Sequence, residues 1–244
     1  MMQRLVSAVK GIRLAMANVK VFDPAFFDGK RVAVVGPASS AFNTGRGKFI
    51  DGFDVVVRMN KSPFVVDKGA FVIDIGARTD VLFHCFHENP VGGGGPIDFG
   101  LYDRAGIKYV VNPRNEFTGL RNTFNFYKKY LQPTTTYLLP RRIYDQISKS
   151  VEPYRPTTGY SALSAILLSS ATELYVTGFT FFKTAYGEGY RDEMREAAQA
   201  QKFIEGVGLH NPDSELQGFK RILAHNNCGS VVLDAELSDI LKRY

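Results

Sequence analysis

Short apolar runs of strand length alternate along the chain with longer stretches whose apolar residues recur at helical spacing. The runs at 31–35, 55–58, 81–83, 109–111, 136–139, 174–176 and 231–233 are rich in Val, Leu and Phe and lack polar alternation. That is the pattern of strands buried on both faces. Between them, residues 118–130, 141–150, 160–171, 191–205 and 212–224 read as helices. Strand–helix alternation of this kind predicts an α/β fold with a mainly parallel sheet flanked by helices. No internal repeat and no linker divides the pattern, so a single domain is expected over 1–244. The one low-complexity stretch, Gly92 to Gly95, directly follows a strand.

The N-terminal 28 residues stand apart. Residues 1–20 read as a basic amphipathic helix, with Leu5, Val6, Val9, Ile12, Leu14, Met16 and Val19 apolar and Arg4, Lys10, Arg13 and Lys20 charged. The expected role is a cap packed on the domain. Contact with an anionic bilayer is the alternative. Residues 22–29 read as a loop leading into the sheet.

Composition narrows the picture only a little. With 244 residues, 45% hydrophobic and 22% charged, the chain is globular rather than collagenous, coiled-coil or disordered. No run approaches the ~18 apolar residues of a membrane span. No signal-peptide pattern opens the chain. Two cysteines, Cys85 and Cys228, are too few for a disulfide framework. A cytoplasmic location is expected, with peripheral contact at the inner membrane as an option. The net charge of +6 fits an anionic partner without choosing one. The cations are spread out with no basic–aromatic patch, which disfavours nucleic acid.

In open α/β sheets the ligand sits outside the carboxyl ends of the strands, so the residues that follow each strand carry the functional signal. After the first of these runs come Gly36-Pro37-Ala38-Ser39-Ser40, a small-residue turn of the kind that brings backbone N–H groups to a phosphate. It lacks the dinucleotide fingerprint, and the next strand ends in Arg58-Met59-Asn60 rather than in an acid for a ribose. These absences, with that of a Walker A loop, argue against a dehydrogenase or an NTPase. Pro156-Thr157-Thr158-Gly159 opens a helix, whose first N–H groups and dipole suit an anion. Asn211-Pro212-Asp213-Ser214-Glu215 is a helix start, with Asn211 as N-cap and Pro212 at the first helical position. His210, just before it, is held near a sheet edge and suits proton abstraction near neutral pH.

Taken in order, these segments resemble a known family. Val32 to Gly36, Gly47 to Asp51, Asp54 to Asn60 and Asp74 to Thr79 together resemble the large sialyl motif of glycosyltransferase family 29, the sialyltransferases. Pro156 to Gly159, the following helix and Leu174 to Phe179 resemble the small motif, and His210 with Glu215 matches H-x-x-x-x-E, the very small motif. The resemblance spans residues 31–215. It implies a Rossmann-like, GT-A-variant glycosyltransferase that is inverting and metal-independent. It implies transfer of a nonulosonic sugar from a CMP donor, CMP-sialic acid, to a glycan hydroxyl. It assigns His210 as catalytic base with Glu215 beside it, in an orienting role. Donor contacts fall on Gly36, Ser39, Ser40, Asn60, Thr157, Thr158 and Gly159, with His84 and His87 lining the pocket after the third run.

The chain also departs from the family. The third motif, an aromatic segment with His-Tyr, is not clear; Tyr186 and Tyr190 lie in its region, with Lys183 and Arg191 as basic neighbours. The positions of the family's bridging cysteines are Val32 and Ser170 or Ala171. Their absence, and that of an anchor and stem, points to a bacterial-type member. No cofactor or metal is expected: none of the 14 aspartates forms an Asp-x-Asp pair, and the cluster His84, Cys85, His87 lacks further ligands. CMP-Kdo is the rival donor, for a Kdo transferase acting on a bacterial polysaccharide or lipopolysaccharide. A non-catalytic or methyl-transfer Rossmann-like nucleotide-binding domain is the remoter alternative.

Overall fold

The computed structural model describes residues 2–89, 94–194 and 196–244. Of the Gly92 to Gly95 stretch, Gly92 and Gly93 lie outside the described residues, as does position 195 within the segment 191–205. The N-terminal half contains α1 (Met2–Asn18), β1 (Val19–Val21), β2 (Arg31–Val35), α2 (Gly47–Asp51), β3 (Val55–Met59), α3 (Ser62–Asp67), α4 (Val72–Ile75) and β4 (Val81–Phe83). It continues through α5 (Phe99–Arg104), β5 (Tyr109–Asn112), α6 (Phe117–Tyr130), β6 (Thr136–Leu138), α7 (Arg141–Lys149) and α8 (Thr158–Leu167). The chain closes with β7 (Glu173–Thr177), α9 (Ala197–Val207), α10 (Pro212–Ala224), β8 (Val231–Leu233) and α11 (Ala235–Arg243).

All eight strands join one sheet in the order β1-β6-β5-β4-β3-β2-β7-β8, and every pairing is parallel. The apolar runs of the inner strands are buried on both faces because side chains alternate, whereas the edge run Val231–Leu233 leaves Val232 exposed. Val32, Val34, Val55 and Val57 face a layer that includes Leu163 and Ile166 of α8, Leu216 and Phe219 of α10, and Ile240 of α11. Ala33, Val35 and Val56 face the opposite layer, with Ile50 of α2 and Val65 of α3. On that second side, toward β1, Leu82 and Val110 pack with α5 and α6.

Three sequence expectations change. The N-terminal helix ends at Asn18, and Val19–Val21 becomes an edge strand paired with Thr136–Leu138. Three β-rich residues with one alternating lysine are too short a signal to separate from the helix before them. The helix expected at 160–171 starts two residues earlier, because Thr157 caps it, and ends at Leu167. The helix expected at 191–205 is the shorter Ala197–Val207. The loop at 22–29 holds one 3-10 turn, Pro24–Phe27, capped by Asp23.

Chain order places the site. From β2 the chain builds outward to β6, then returns so that β7 lies on the other side of β2. The connections thus diverge at β2 and β7, and a crevice opens above their carboxyl ends. Gly36 and Gly178, the residues just past these two strands, lie backbone to backbone: a Cβ on either would strike the other's carbonyl oxygen. Asp234, just past β8, locks this point. Its Oδ2 accepts from Gly178 N (2.9 Å), Thr177 Oγ1 (3.0 Å) and Ser40 Oγ (3.1 Å), while Oδ1 caps α11 through Leu237 N (2.8 Å).

Gly36→Ala should therefore destabilise the fold by about 1–3 kcal/mol, the cost of forcing a methyl into a packed contact. Gly206→Ala, whose added methyl meets nothing within 4 Å on a helix, should be neutral or mildly stabilising. Thermal melts of the two variants beside the parent measure the contrast, at roughly 2–4 °C per kcal/mol for a chain of this size.

Candidate active site

A cavity of about 480 Å³ occupies the crevice. It is bordered by Asn60 after β3, Cys85, His87 and Asn89 after β4, Arg114 after β5, and Pro156 to Tyr160 at the start of α8. Gly178 to Phe182 after β7, Tyr186, Tyr190, Arg191, Phe203, Leu209, His210 and Glu215 complete much of the wall.

The polar floor is built around α8. Thr157 is its N-cap, with Oγ1 accepting from Tyr160 N at 3.1 Å. Thr157 is itself fixed by Glu215: Oε1 accepts its backbone N–H at 2.6 Å and Oε2 its hydroxyl at 3.0 Å. Among the described residues no protein group accepts from the N–H groups of Thr158 and Gly159. They are the orphan donors of the helix start, aimed where its dipole favours an anion. The Thr157 hydroxyl is committed to the scaffold, leaving that of Thr158 as the side-chain donor nearest these amides.

Glu215, in the first turn of α10, is 2% exposed. Burial pushes its carboxyl up to about 8 in spite of the two Thr157 donors. It holds the neighbouring loop rather than presenting a charge. His210 lies five residues earlier, ahead of the Asn211 cap. Its Nδ1 is 2.7 Å from the Arg155 carbonyl oxygen, which can only accept, so Nδ1 carries the proton and Nε2 the lone pair. Arg155 N donates in turn to Leu209 O at 2.9 Å. Burial lowers the His210 pKa, and the Arg114 and Arg155 charges lower it further against the opposing Arg155 carbonyl. The side chain is a neutral imidazole at neutral pH, bordering the cavity with an unprotonated nitrogen.

Aromatic residues form the opposite wall. Tyr186 and Tyr190 stack with centroids 5.5 Å apart and planes at 23°. Burial pushes Tyr186 up to about 12 and Tyr190 higher, so both stay neutral hydroxyls. The Arg191 guanidinium lies 5.8 Å from the Tyr186 ring and 5.4 Å from that of Phe203. The segment is held to the β2 turn by Ser39 N to Ala185 O (3.0 Å) and Gly187 N to Pro37 O (2.7 Å). Lys183 is turned away, 2.7 Å from Asp213.

Nine residues singled out in the sequence meet at this cavity: Asn60, His87, Thr157, Thr158, Gly159, Tyr186, Tyr190, His210 and Glu215. Gly36, Ser39, Ser40 and His84 do not border it. Gly36 is buried under Gly178; Ser39 is exposed; Ser40 is bonded to Asp234. His84 is fully buried, accepts Phe86 N on Nδ1 at 3.0 Å, and is driven down to about 4 by desolvation. Its position one residue after a strand puts it on the core side, whereas His87, past the positive-φ Phe86, reaches the cavity. Sequence reasoning missed Arg114, Asn89 and the run Phe179 to Phe182. No residue type marks the last in sequence; the structure holds the bulky Phe181 (φ 48) and Phe182 (φ 59) in the left-handed region, in the loop after β7.

The family model of glycosyltransferase family 29 (sialyltransferase) matches residues 3–89. Two structures titled as a mammalian sialyltransferase share the fold. One is 17% identical at a TM-score of 0.55, covering 91% of this chain and 78% of the other. The second, in complex with Gal-beta-1-3GalNAc-ortho-nitrophenol, is 15% identical at 0.56, covering 90% and 77%. An alpha-2,3-sialyltransferase from Campylobacter jejuni in apo form is 12% identical at 0.50, covering 85% and 76%. No curated protein matches the chain in sequence. The family match covers the segments read as the large motif, and the structural likeness supports the expected fold.

The raised Glu215 carboxyl predicts a specific pH dependence. Its folded pKa, about 8, lies above the ordinary 4.5, so the native state holds a proton that the unfolded chain releases. Its contribution is intact below pH 4.5 and is lost as pH rises to 8, at up to about 1.4 kcal/mol per pH unit. Denaturant midpoints from pH 5 to 8, compared with those of Glu215→Gln, should show a shallower decline in the variant.

Proposed function

We propose, from a chain that carries the family 29 segment at its N-terminal end and the sialyltransferase fold across its length, that this protein is an inverting, metal-independent glycosyltransferase. Its donor is a CMP-activated nonulosonic sugar, sialic acid, and its acceptor a glycan hydroxyl. The observation that carries the reading is the His210 imidazole, whose Nδ1–H is fixed on the Arg155 carbonyl so that Nε2 is free to accept a proton beside the cavity.

In this reading the donor phosphate lies at the start of α8, against the N–H groups of Thr158 and Gly159. Cytidine and ribose lie toward Asn60, the His87 side and the Tyr186–Tyr190 pair. The acceptor enters on the side of Phe182, Phe203, Leu209 and His210. His210 Nε2 takes the proton of the acceptor hydroxyl, and the oxygen forms a bond to the anomeric carbon from the face opposite the phosphate. The bond from that carbon to the phosphate oxygen breaks, and CMP leaves with the electron pair. The negative charge that grows on the phosphate meets donors already aimed at it, each commonly contributing ~3 kcal/mol to such a transition state. In this reading the leaving charge falls to the α8 amides.

His210→Ala should lower kcat by about 100- to 10,000-fold, the usual range for loss of a general base. CMP affinity, measured by calorimetry, should stay close to that of the parent. Near-parental turnover in the variant would overturn the assignment. Because burial lowers the His210 pKa, the acidic limb of kcat/KM against pH should have its midpoint below the ordinary 6.5. CMP release from CMP-sialic acid and CMP-Kdo, each with a panel of glycan acceptors, tests the donor. Faster release from CMP-Kdo would replace sialic acid by Kdo.

A further inference from the structure

Most of the large apolar side chains of α1 point away from the domain. Leu5 is 66% exposed, Val9 42%, Ile12 48% and Met16 81%. At 3.6 residues per turn these four share one stripe about 60° wide, with Val6 to one side. The face turned inward carries Ser7, Ala8, Gly11, Leu14, Ala15 and Asn18. Gly11 lets the helices close, since a Cβ there would press on the Lys128 backbone of α6. The helix thus packs on the domain as a cap, through Leu14 and small residues, while four large apolar side chains face out. Arg13 and, farther round, Lys10 lie on the Val6 side of the stripe, both exposed.

Charge is divided in the same way. Helix α1 carries Arg4, Lys10 and Arg13, helix α6 carries Arg121, Lys128 and Lys129, and neither contains an acid. Those six cations equal the whole net charge of +6; the rest of the chain has 24 residues of each sign. An acid does approach at Lys129, which pairs with Glu88 at 2.9 Å, and Glu116 caps α6 from outside it. The excess positive charge therefore sits on the one helix pair that also exposes an apolar stripe. No described helix is long and apolar enough to cross a membrane.

We propose that α1, with the cations of α6 beside it, is a docking surface for an anionic lipid bilayer. Leu5, Val9, Ile12 and Met16 enter the boundary between headgroups and acyl chains, and Lys10 and Arg13 meet lipid phosphates. A second copy of the chain fits this face less well, because its symmetric partner would bring the same cations together. The surface does not depend on the transferase reading, and its failure would leave that reading untouched.

The test is sedimentation of the full chain with vesicles of phosphatidylcholine alone and of phosphatidylcholine mixed with phosphatidylglycerol. Binding should require phosphatidylglycerol and weaken with added salt. Lys10→Gln with Arg13→Gln should weaken it by about thirtyfold, taking each cation near the surface at its usual worth. Val9→Ser with Ile12→Ser and Met16→Ser should abolish it. All five side chains are exposed, so melting temperatures should hold; if the triple variant unfolds, Met16→Gln alone reads the same stripe through a smaller loss. No vesicle binding by the parent, or equal binding by the charge and stripe variants, would overturn the proposal. So would a dimer, seen by light scattering, that the stripe variant splits into monomers.

Discussion

The contact between Thr157 and the Glu215 carboxyl is the constraint on which the site depends. It ties the start of α8 to the start of α10, two helices packed on the same sheet face. Two more bonds run alongside it, Arg155 N to Leu209 O and His210 Nδ1 to Arg155 O. One short segment, 155–157, thereby fixes both the helix start that presents free N–H groups and the imidazole beside it. Burial raises the pKa of that carboxyl to about 8 although both Thr157 bonds favour its ionised form.

A second polar network does comparable work under the sheet's other face, and it accounts for much of the large motif. Asp51 accepts from Ala77 N (2.9 Å) and Arg78 N (3.0 Å), and Asp74 from Thr44 N and Gly45 N, both at 2.8 Å. Arg58, 1% exposed within β3, donates to the carbonyls of Ile75, Gly76 and Arg78. Desolvation lowers its pKa to about 10, yet it remains charged and satisfied by backbone oxygens alone. Arg78 closes the network on Asp80 at 2.9 Å. A motif with this many acids and arginines reads as chemistry in a sequence, but here most of it is scaffold. Of its residues, Met59 and Asn60, at the end of one segment, border the cavity.

The fold was legible because its signals are local. Buried parallel strands are written as apolar runs, and the Asn211-Pro212 start gave the bounds of α10 to the residue. The site was legible where a residue's place in a helix cap or strand end determines its surroundings, as for Thr157, His210 and Asn60. It was not legible where a positive φ or a tertiary tie redirects the chain. His84 and His87 look equivalent in sequence, yet one is sealed in the core and the other borders the cavity. Ser40 looks like a phosphate donor until β8 brings Asp234 to it across 194 residues. Which face of α1 turns inward was not legible for a related reason. Periodicity gives the width of an apolar stripe, while close packing of Gly11 on α6 decides which side turns inward.

The distribution of charge follows from the same division of labour. The guanidiniums at the cavity already have acidic company: Arg114 pairs with Glu116 at 2.7 Å, and Arg191 lies 3.6 Å from Glu193. An anion in the cavity therefore meets mostly dipoles and neutral donors, namely the α8 amides, the Thr158 hydroxyl and two tyrosines kept neutral by burial. Dipoles fixed in place stabilise charge that grows during a reaction without adding the long-range pull that full cations would exert on substrate and product alike. The net positive charge of the chain is carried instead by α1 and α6, which hold six cations and no acid.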